Sequence, residues 1–281
     1  MLKETSYKSK SRGSSLRLLK EIFNDFPTAN ALGYSLAHRN IKAKYRQSLL
    51  GILWAVFPPL ALASVWIVLN SQGLVSFNET GVPYPLFVIT GTFLWQSFTL
   101  SVTTFLQGIQ TNKSILVKIN FPREAIFYST LYETLFYILI SFIPVVIVFF
   151  LYGFMPGIGV LYFLLFLLNL ILLGLVIGLL IFPVASLFKD ITFGLPMVLQ
   201  LALYLTPVIY PLPVYKGLGN LLALNPVTPL LVGARAGLLG TSGIPAWDTI
   251  LIFIIVLISL LILGLLLMRI TMEILIERMG S

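Results

Sequence analysis

The chain has 281 residues, 58% of them hydrophobic and only 10% charged, with a formal net charge of +8 at neutral pH. Soluble domains carry about 25% charged residues. A chain with a mean hydropathy of +0.99 therefore has too little polar surface to cover a water-soluble globule and must sit in lipid. It contains no cysteine, which excludes disulfides, thiol catalysis and cysteine-ligated metals.

The first 13 residues are polar and are expected to be disordered. Ser14 or Ser15 can cap a helix whose apolar face carries Leu16, Leu19, Phe23 and Phe26, with Leu18 and Ile22 beside them and Arg17, Lys20, Glu21, Asn24 and Asp25 opposite. This pattern predicts an amphipathic helix lying in the membrane interface, ended by Pro27. A second helical stretch places Tyr34, Ala37, Ile41 and Tyr45 on one stripe and Arg39, Lys42 and Arg46 off it. It runs without a breaker into the first apolar run. Because that run begins only near Leu49, no signal peptide is expected.

Six runs are long enough to cross a hydrocarbon core, which takes about 20 helical residues: residues 49–69, 84–107, 125–151, 158–188, 192–211 and 247–268. Backbone groups in lipid must bond within their own segment, so the runs are helices. A β-barrel would show alternating ten-residue segments instead. The third and fourth runs exceed the minimum and are expected to tilt or to project from the membrane. All of the 18 Lys and Arg residues except Lys216 and Arg235 fall on one side of a six-span chain. That side is the cytosol by the positive-inside rule, and it holds both termini. The positive charge thus follows topology, and no nucleic-acid partner is implied.

Between the second and third runs lies Thr111-Asn-Lys-Ser-Ile-Leu-Val-Lys-Ile-Asn-Phe-Pro-Arg-Glu124. A loop that only turned the chain could be shorter and wholly polar. This one is basic with an apolar centre, as expected of a short helix on the cytoplasmic face that another protein grips. Ile115, Leu116, Ile119 and Phe121 would form an apolar wedge, and Lys113, Lys118 and Arg123 would set its register. The other reading is an amphipathic turn against lipid headgroups. Residues 212–246 contain two apolar pieces, Leu218–Leu224 and Val227–Leu239, each too short to span and interrupted by Asn225-Pro226 and Pro229. They read as two short helices dipping into the outer leaflet, the alternative being a surface loop with apolar decoration.

The chemistry that is missing narrows the function. No Gly-Lys pair exists to build a phosphate-holding P-loop, His38 is the lone histidine, and no pair of acids is spaced to hold Mg²⁺. An enzyme is not expected, and no catalytic or metal site is assigned. Glu133 is the one acid well inside a span. It is either a polar group of the bundle interior or a residue near the cytoplasmic end that reaches the interface or a basic partner. One acid is a weak basis for proton coupling. The chain thus reads as a conduit whose energy comes from elsewhere.

Four stretches carry a family resemblance. Arg39-Asn-Ile-Lys-Ala-Lys-Tyr-Arg-Gln-Ser-Leu-Leu-Gly-Ile-Leu-Trp-Ala-Val-Phe-Pro-Pro-Leu60 resembles the start of the first span of polysaccharide-exporting ABC permeases of the type-2 exporter superfamily, which serve O-antigen, capsule and teichoic acid export. Lys118-Ile-Asn-Phe-Pro-Arg-Glu124 resembles their first cytoplasmic loop, and Leu224-Asn-Pro-Val-Thr-Pro-Leu-Leu-Val-Gly-Ala-Arg235 their outer segment. Phe188-Lys-Asp190 resembles the polar end of the fourth span. The resemblance covers residues 31–281 and implies an all-α fold with a six-span domain over 49–268 and a cytoplasmic tail over 269–281; residues 1–48 are expected to hold a cytoplasmic tail, the amphipathic interface helix and the gate helix, the first 30 of them on amphipathicity alone. It implies a coupling helix at about 112–123 and outer re-entrant helices at about 217–240. It further implies a homodimer above two ABC ATP-binding subunits. ATP and Mg²⁺ would be held by those partners, with no cofactor on this chain.

On that resemblance Arg39, Lys42, Tyr45 and Arg46 form a basic gate that attracts the phosphates of a lipid carrier, or equally anionic membrane headgroups. Aromatic residues make up 13% of the chain. They can stack on sugar faces, although Trp and Tyr also gather at membrane interfaces for their own reasons. Trp54, Phe57 and Tyr204 are the candidates for a substrate path, because the first and fifth spans flank the dimer axis in this family. The expected function is the permease subunit of an ATP-driven exporter of a lipid-linked polysaccharide in the bacterial inner membrane. The alternatives are a type-2 permease for a small molecule or drug, and an ion-coupled lipid flippase working alone.

Overall fold

A computed structural model describes residues 15–46, 48–75, 80–118, 122–211, 224–241 and 247–280. Every regular element among them is helical: α1 (Ser15–Tyr45), α2 (Phe57–Ser71), α3 (Tyr84–Lys118), α4 (Glu124–Ser141), α5 (Ile143–Leu151), α6 (Val160–Leu187), α7 (Lys189–Ala202), α8 (Val227–Leu239) and α9 (Trp247–Gly280), with 3₁₀ turns at Gly51–Ala55 and Leu203–Leu205. Four stretches are long and apolar enough to cross a membrane: Tyr84–Asn112, Glu124–Leu151 (α4 with α5), Val160–Leu187 and Ile250–Met272. This is a multi-pass membrane protein. The core lies between α3, α6 and α8, with Phe93, Phe105, Phe166, Phe182, Leu170 and Leu175 buried at its centre. α9 packs on α6 and leaves Leu251, Ile252, Ile255 and Ile262 outward, as a helix facing lipid must.

Several expectations are corrected. Pro27 does not end a helix, because α1 runs through it as one element of 31 residues. A proline in a helix interior costs about 3 kcal/mol, and packing on both sides of it offsets that cost. Phe26 meets the Tyr128 ring edge-on, while Ala29, Leu36 and Ala37 are buried. α1 lies along α4, its principal partner, so its inward face covers protein. The crossing is tight at Gly33, where a Cβ would stand 2.5 Å from Tyr128 Cβ and 2.9 Å from the Ala125 carbonyl oxygen. Gly33→Leu is therefore expected to lift α1 from α4 without disturbing the α3–α6–α8 core. Limited proteolysis in detergent checks this, with earlier cleavage within residues 24–46 and unchanged protection elsewhere.

The first apolar run is not one helix either. α1 stops at Tyr45, Gly51 adopts a φ of +50°, and the 3₁₀ turn precedes Pro58 and Pro59 in the first turn of α2. Proline suits a helix start, where its missing N–H is no loss. α2 then has 15 residues and α7 has 14, each about 22 Å long against a core of about 30 Å. The third run is divided at Phe142, just before Pro144, into α4 and α5. No separate helix occupies 112–118, since α3 continues to Lys118. α9 continues through residues 269–280.

Of the two outer pieces, the first lies outside the described residues over 218–223, and Val227–Leu239 is the buried helix α8. It is walled by α6 and α3, which is where a short helix at membrane depth is tolerated. Just before it, Asn225 accepts from Val227 N at 3.0 Å and donates to Thr206 Oγ1 at 2.9 Å. The irregular backbone leading towards it is satisfied by side chains. Tyr84 Oη donates to the Ile209 carbonyl at 3.0 Å, Tyr210 Oη to that of Tyr204 at 3.0 Å, and Arg235 Nη2 to that of Val208 at 2.6 Å.

Candidate gate and coupling site

The polar side chains of α1 converge on the region where α3 ends and α4 begins. The stripe Ala29, Gly33, Leu36, Ala37, Asn40 recurs at three- and four-residue steps and so lies along one helix face; that face meets α4. Buried Asn40 donates from Nδ2 to Glu133 Oε1 at 2.8 Å, and Ser129 Oγ donates to the same oxygen at 3.0 Å. Arg39 Nη2 donates to Asn40 Oδ1 at 2.8 Å and to Asn112 Oδ1 at 2.6 Å. A chain of bonds thus links α3 through α1 to α4. Lower on α1, Tyr132 Oη donates to Asn30 Oδ1 at 2.7 Å, and Tyr34 stands edge-on to Tyr132.

At its C-terminal end α1 borders a cavity of about 120 Å³ lined by Lys44, Tyr45, Trp54, Ala55, Pro58, Gln96, Leu100, Tyr137 and Ser141. Lys44 Nζ stands 4.5 Å from the centre of the Tyr137 ring. Tyr45 meets the same ring edge-on. The Lys44 side chain is exposed as a whole, yet protein packed around its ammonium removes water and lowers its pKa below the usual lysine value, with Glu133 pulling the other way. The same desolvation raises the Tyr45 pKa, opposed by a hydrogen bond with Tyr137, so Tyr45 is a neutral phenol at physiological pH. The cavity offers one cation, three aromatic rings and amide and hydroxyl groups. Those are the groups that hold a sugar ring carrying an anionic substituent.

The expected gate residues divide. Arg39 and Tyr45 are engaged as described, whereas Lys42 and Arg46 are exposed. Of the path candidates, Trp54 lines the cavity and stands edge-on to Phe57 at 5.7 Å. Phe57 is exposed, and Tyr204 lies on the turn after α7, away from this cavity. Of the coupling candidates, Ile115 packs against the small cluster of Ala29, Leu36 and Ala125. It is half-buried there, in contact with the cluster that joins α1 to α4. Arg123 is half-buried just before α4. The side chains of Lys113, Leu116, Lys118, Ile119 and Phe121 lie outside the described residues. Asn40, Asn112, Lys44, Gln96 and Tyr137 were not among the expected gate residues. Asn40 carried a signal, being a polar residue in register with Gly33 and Ala37.

Helices of this length and apolarity, joined by a polar seam near one end of the bundle, define a multi-pass membrane protein. The sequence profile of the ABC-2 type transporter family matches residues 32–239, and the chain belongs to that family. It is similar to the O-antigen export system permease protein RfbA of Myxococcus xanthus, 26% identical over 224 residues, which is 79% of this chain and 84% of that one. It is also similar to a protein of the same name from Klebsiella pneumoniae, 32% identical over 182 residues, covering 62% of this chain and 67% of the relative.

Proposed function

We propose that this chain is the permease subunit of an ATP-driven exporter that carries a lipid-linked polysaccharide across the bacterial inner membrane. The observation that carries this reading is the similarity, over most of the chain, to O-antigen export permeases. The cavity supports it chemically, because a cation beside aromatic rings suits a sugar attached to a phosphate. In this reading the short helices α2 and α7 complete six spans, and both termini face the cytosol. The exposed apolar side chains Phe57, Val65 and Val68 of α2, and Phe193, Met197 and Leu201 of α7, pack against a second copy along a shared channel. Two ATP-binding subunits sit beneath and push on residues 111–124.

The test is transport in inverted membrane vesicles that hold this chain, its ATP-binding partner and a lipid-linked polysaccharide. Polymer should enter the lumen only with ATP. Transport driven by a proton gradient without ATP would favour the flippase, and small-molecule efflux without polymer transfer a drug permease. Lys118→Glu combined with Arg123→Glu is expected to reduce the stimulation of the partner's ATPase about tenfold, a typical coupling energy, with the assembled protein unchanged by size-exclusion chromatography. Intact stimulation removes the coupling role of 111–124.

A further inference from the structure

A push on residues 111–124 has to reach the gate helix α1, and the chain itself offers no short path, because α2 and α3 intervene. The non-covalent path is direct. Arg269, on α9, places Nη1 3.0 Å from Oε1 of Glu124 and Nη2 3.3 Å from Oδ2 of Asp25. Glu124 is the first residue of α4 and closes the 111–124 segment, and Asp25 belongs to α1. The planar guanidinium fork is suited to bridging two carboxylates in this way. The Asp25 side chain is 40% exposed, and exposed ion pairs contribute little, but the Glu124 side chain is only 3% exposed and that of Arg269 13%. Breaking this pair leaves charge in protein rather than in water. On the other flank of the segment, Arg39 ties α1 to the last turns of α3 through Asn112. The gate helix is thus fastened on both sides of the segment that is pushed. Arg269 stands near the end of the apolar stretch Ile250–Met272 of α9.

We infer that Arg269 is a positioning residue for transport: it clamps α1 to the start of α4, so that the gate moves as one body with the segment between α3 and α4. This rests on the reading of 111–124 as the coupling element. Arg269 touches no substrate in this scheme. It transmits displacement, and its loss separates ATP hydrolysis from polymer movement.

The chain has no native cysteine, which allows a reversible test. Asp25→Cys with Glu124→Cys, which removes both carboxylates from Arg269 and lets a linker join α1 to α4 directly, is expected, with the ATP-binding partner, to assemble, to hydrolyse ATP at the wild-type rate, and to transport about tenfold less polymer, within the usual range of coupling energies. A short bis-methanethiosulfonate linker between the two thiols should restore transport, and reduction should abolish it again. A role in stability alone would lower the amount of assembled complex and the ATPase in step with transport. Asp25→Asn, which keeps the Glu124–Arg269 pair, guards against misfolding and should give an intermediate loss of transport at full ATPase. The inference is overturned if the reduced double variant transports like wild type, if its loss tracks lost complex, or if the linker fails to restore it. If wild-type vesicles move no polymer with ATP, the functional reading itself falls, and the clamp's role in transport with it.

Discussion

Replacing Gly91 with alanine is expected to cost this protein more stability than any other single methyl group added to its buried interior. Gly91 lies in the third turn of α3. A Cβ there would collide with the Val208 carbonyl oxygen and with Nη2 of Arg235, the two atoms that hydrogen-bond to each other at 2.6 Å. Neither can retreat easily. Val208 is backbone in an irregular segment. The Arg235 guanidinium carbon already stands 3.8 Å from the centre of the Phe87 ring, and the residue is only 4% exposed. Displacing Arg235 from its acceptor strands a guanidinium in a buried site, a loss of about 3–5 kcal/mol by analogy with broken buried charge pairs. Arg235→Met removes the charge and leaves a carbonyl short of a donor, about 1–3 kcal/mol. The methyl group on α3 should therefore be worse than deletion of the cation it disturbs. Thermal unfolding in detergent checks the order, with a fall of about 10 °C for Gly91→Ala and a smaller one for Arg235→Met. Equal or reversed shifts would show that α3 and the 206–211 segment do not meet this closely.

The same pair of residues shows what a linear reading can and cannot reach. The two short apolar pieces before the last span are legible in the sequence as helices too short to cross, and α8 is one of them. From sequence, though, Arg235 is a cation on the outer side. Its acceptor is 27 positions away, in backbone whose conformation no periodicity encodes. Pro27 taught the converse lesson. Its local cost is visible in sequence, but the contacts that override it belong to α4, about a hundred residues later. Residues 269–280 were within reach: Arg269, Glu273 and Glu277 recur every four residues among apolar ones, a helical pattern. A helix need not stop where the lipid does. In the site, the basic and aromatic character of residues 39–57 was legible. The register of α1 against α4 was not, because several neighbouring stripes of α1 are apolar enough to face inward. The contacts with α4, the close approach at Gly33 and the Asn40–Glu133 bond among them, choose between them.

Glu133 offers the sharpest separation between the proposed exporter and an ion-driven carrier. Its Oε1 accepts from Asn40 and Ser129 at 2.8 and 3.0 Å, so its role in the structure is to anchor the gate end of α1. A glutamine keeps an oxygen in the same place and accepts the same two bonds, but it binds no transported proton. Glu133→Gln is therefore expected to retain more than about half of ATP-driven transport, because the net worth of the exchanged bonds differs by only about 1 kcal/mol. Glu133→Leu leaves two buried donors unmatched, a penalty of about 1–3 kcal/mol for each. It should free the end of α1 and reduce transport about tenfold or more, while the partner's ATPase continues. Asn40→Leu should do the same. The double variant Asn40→Leu with Glu133→Leu should lose less than the two singles combined, since residues that share one bond are not additive. Transport assays on the four proteins decide the matter. If the glutamine variant is as inactive as the leucine one, the carboxylate is needed for its charge, and a gate held by hydrogen bonds gives way to a titrating group that moves ions.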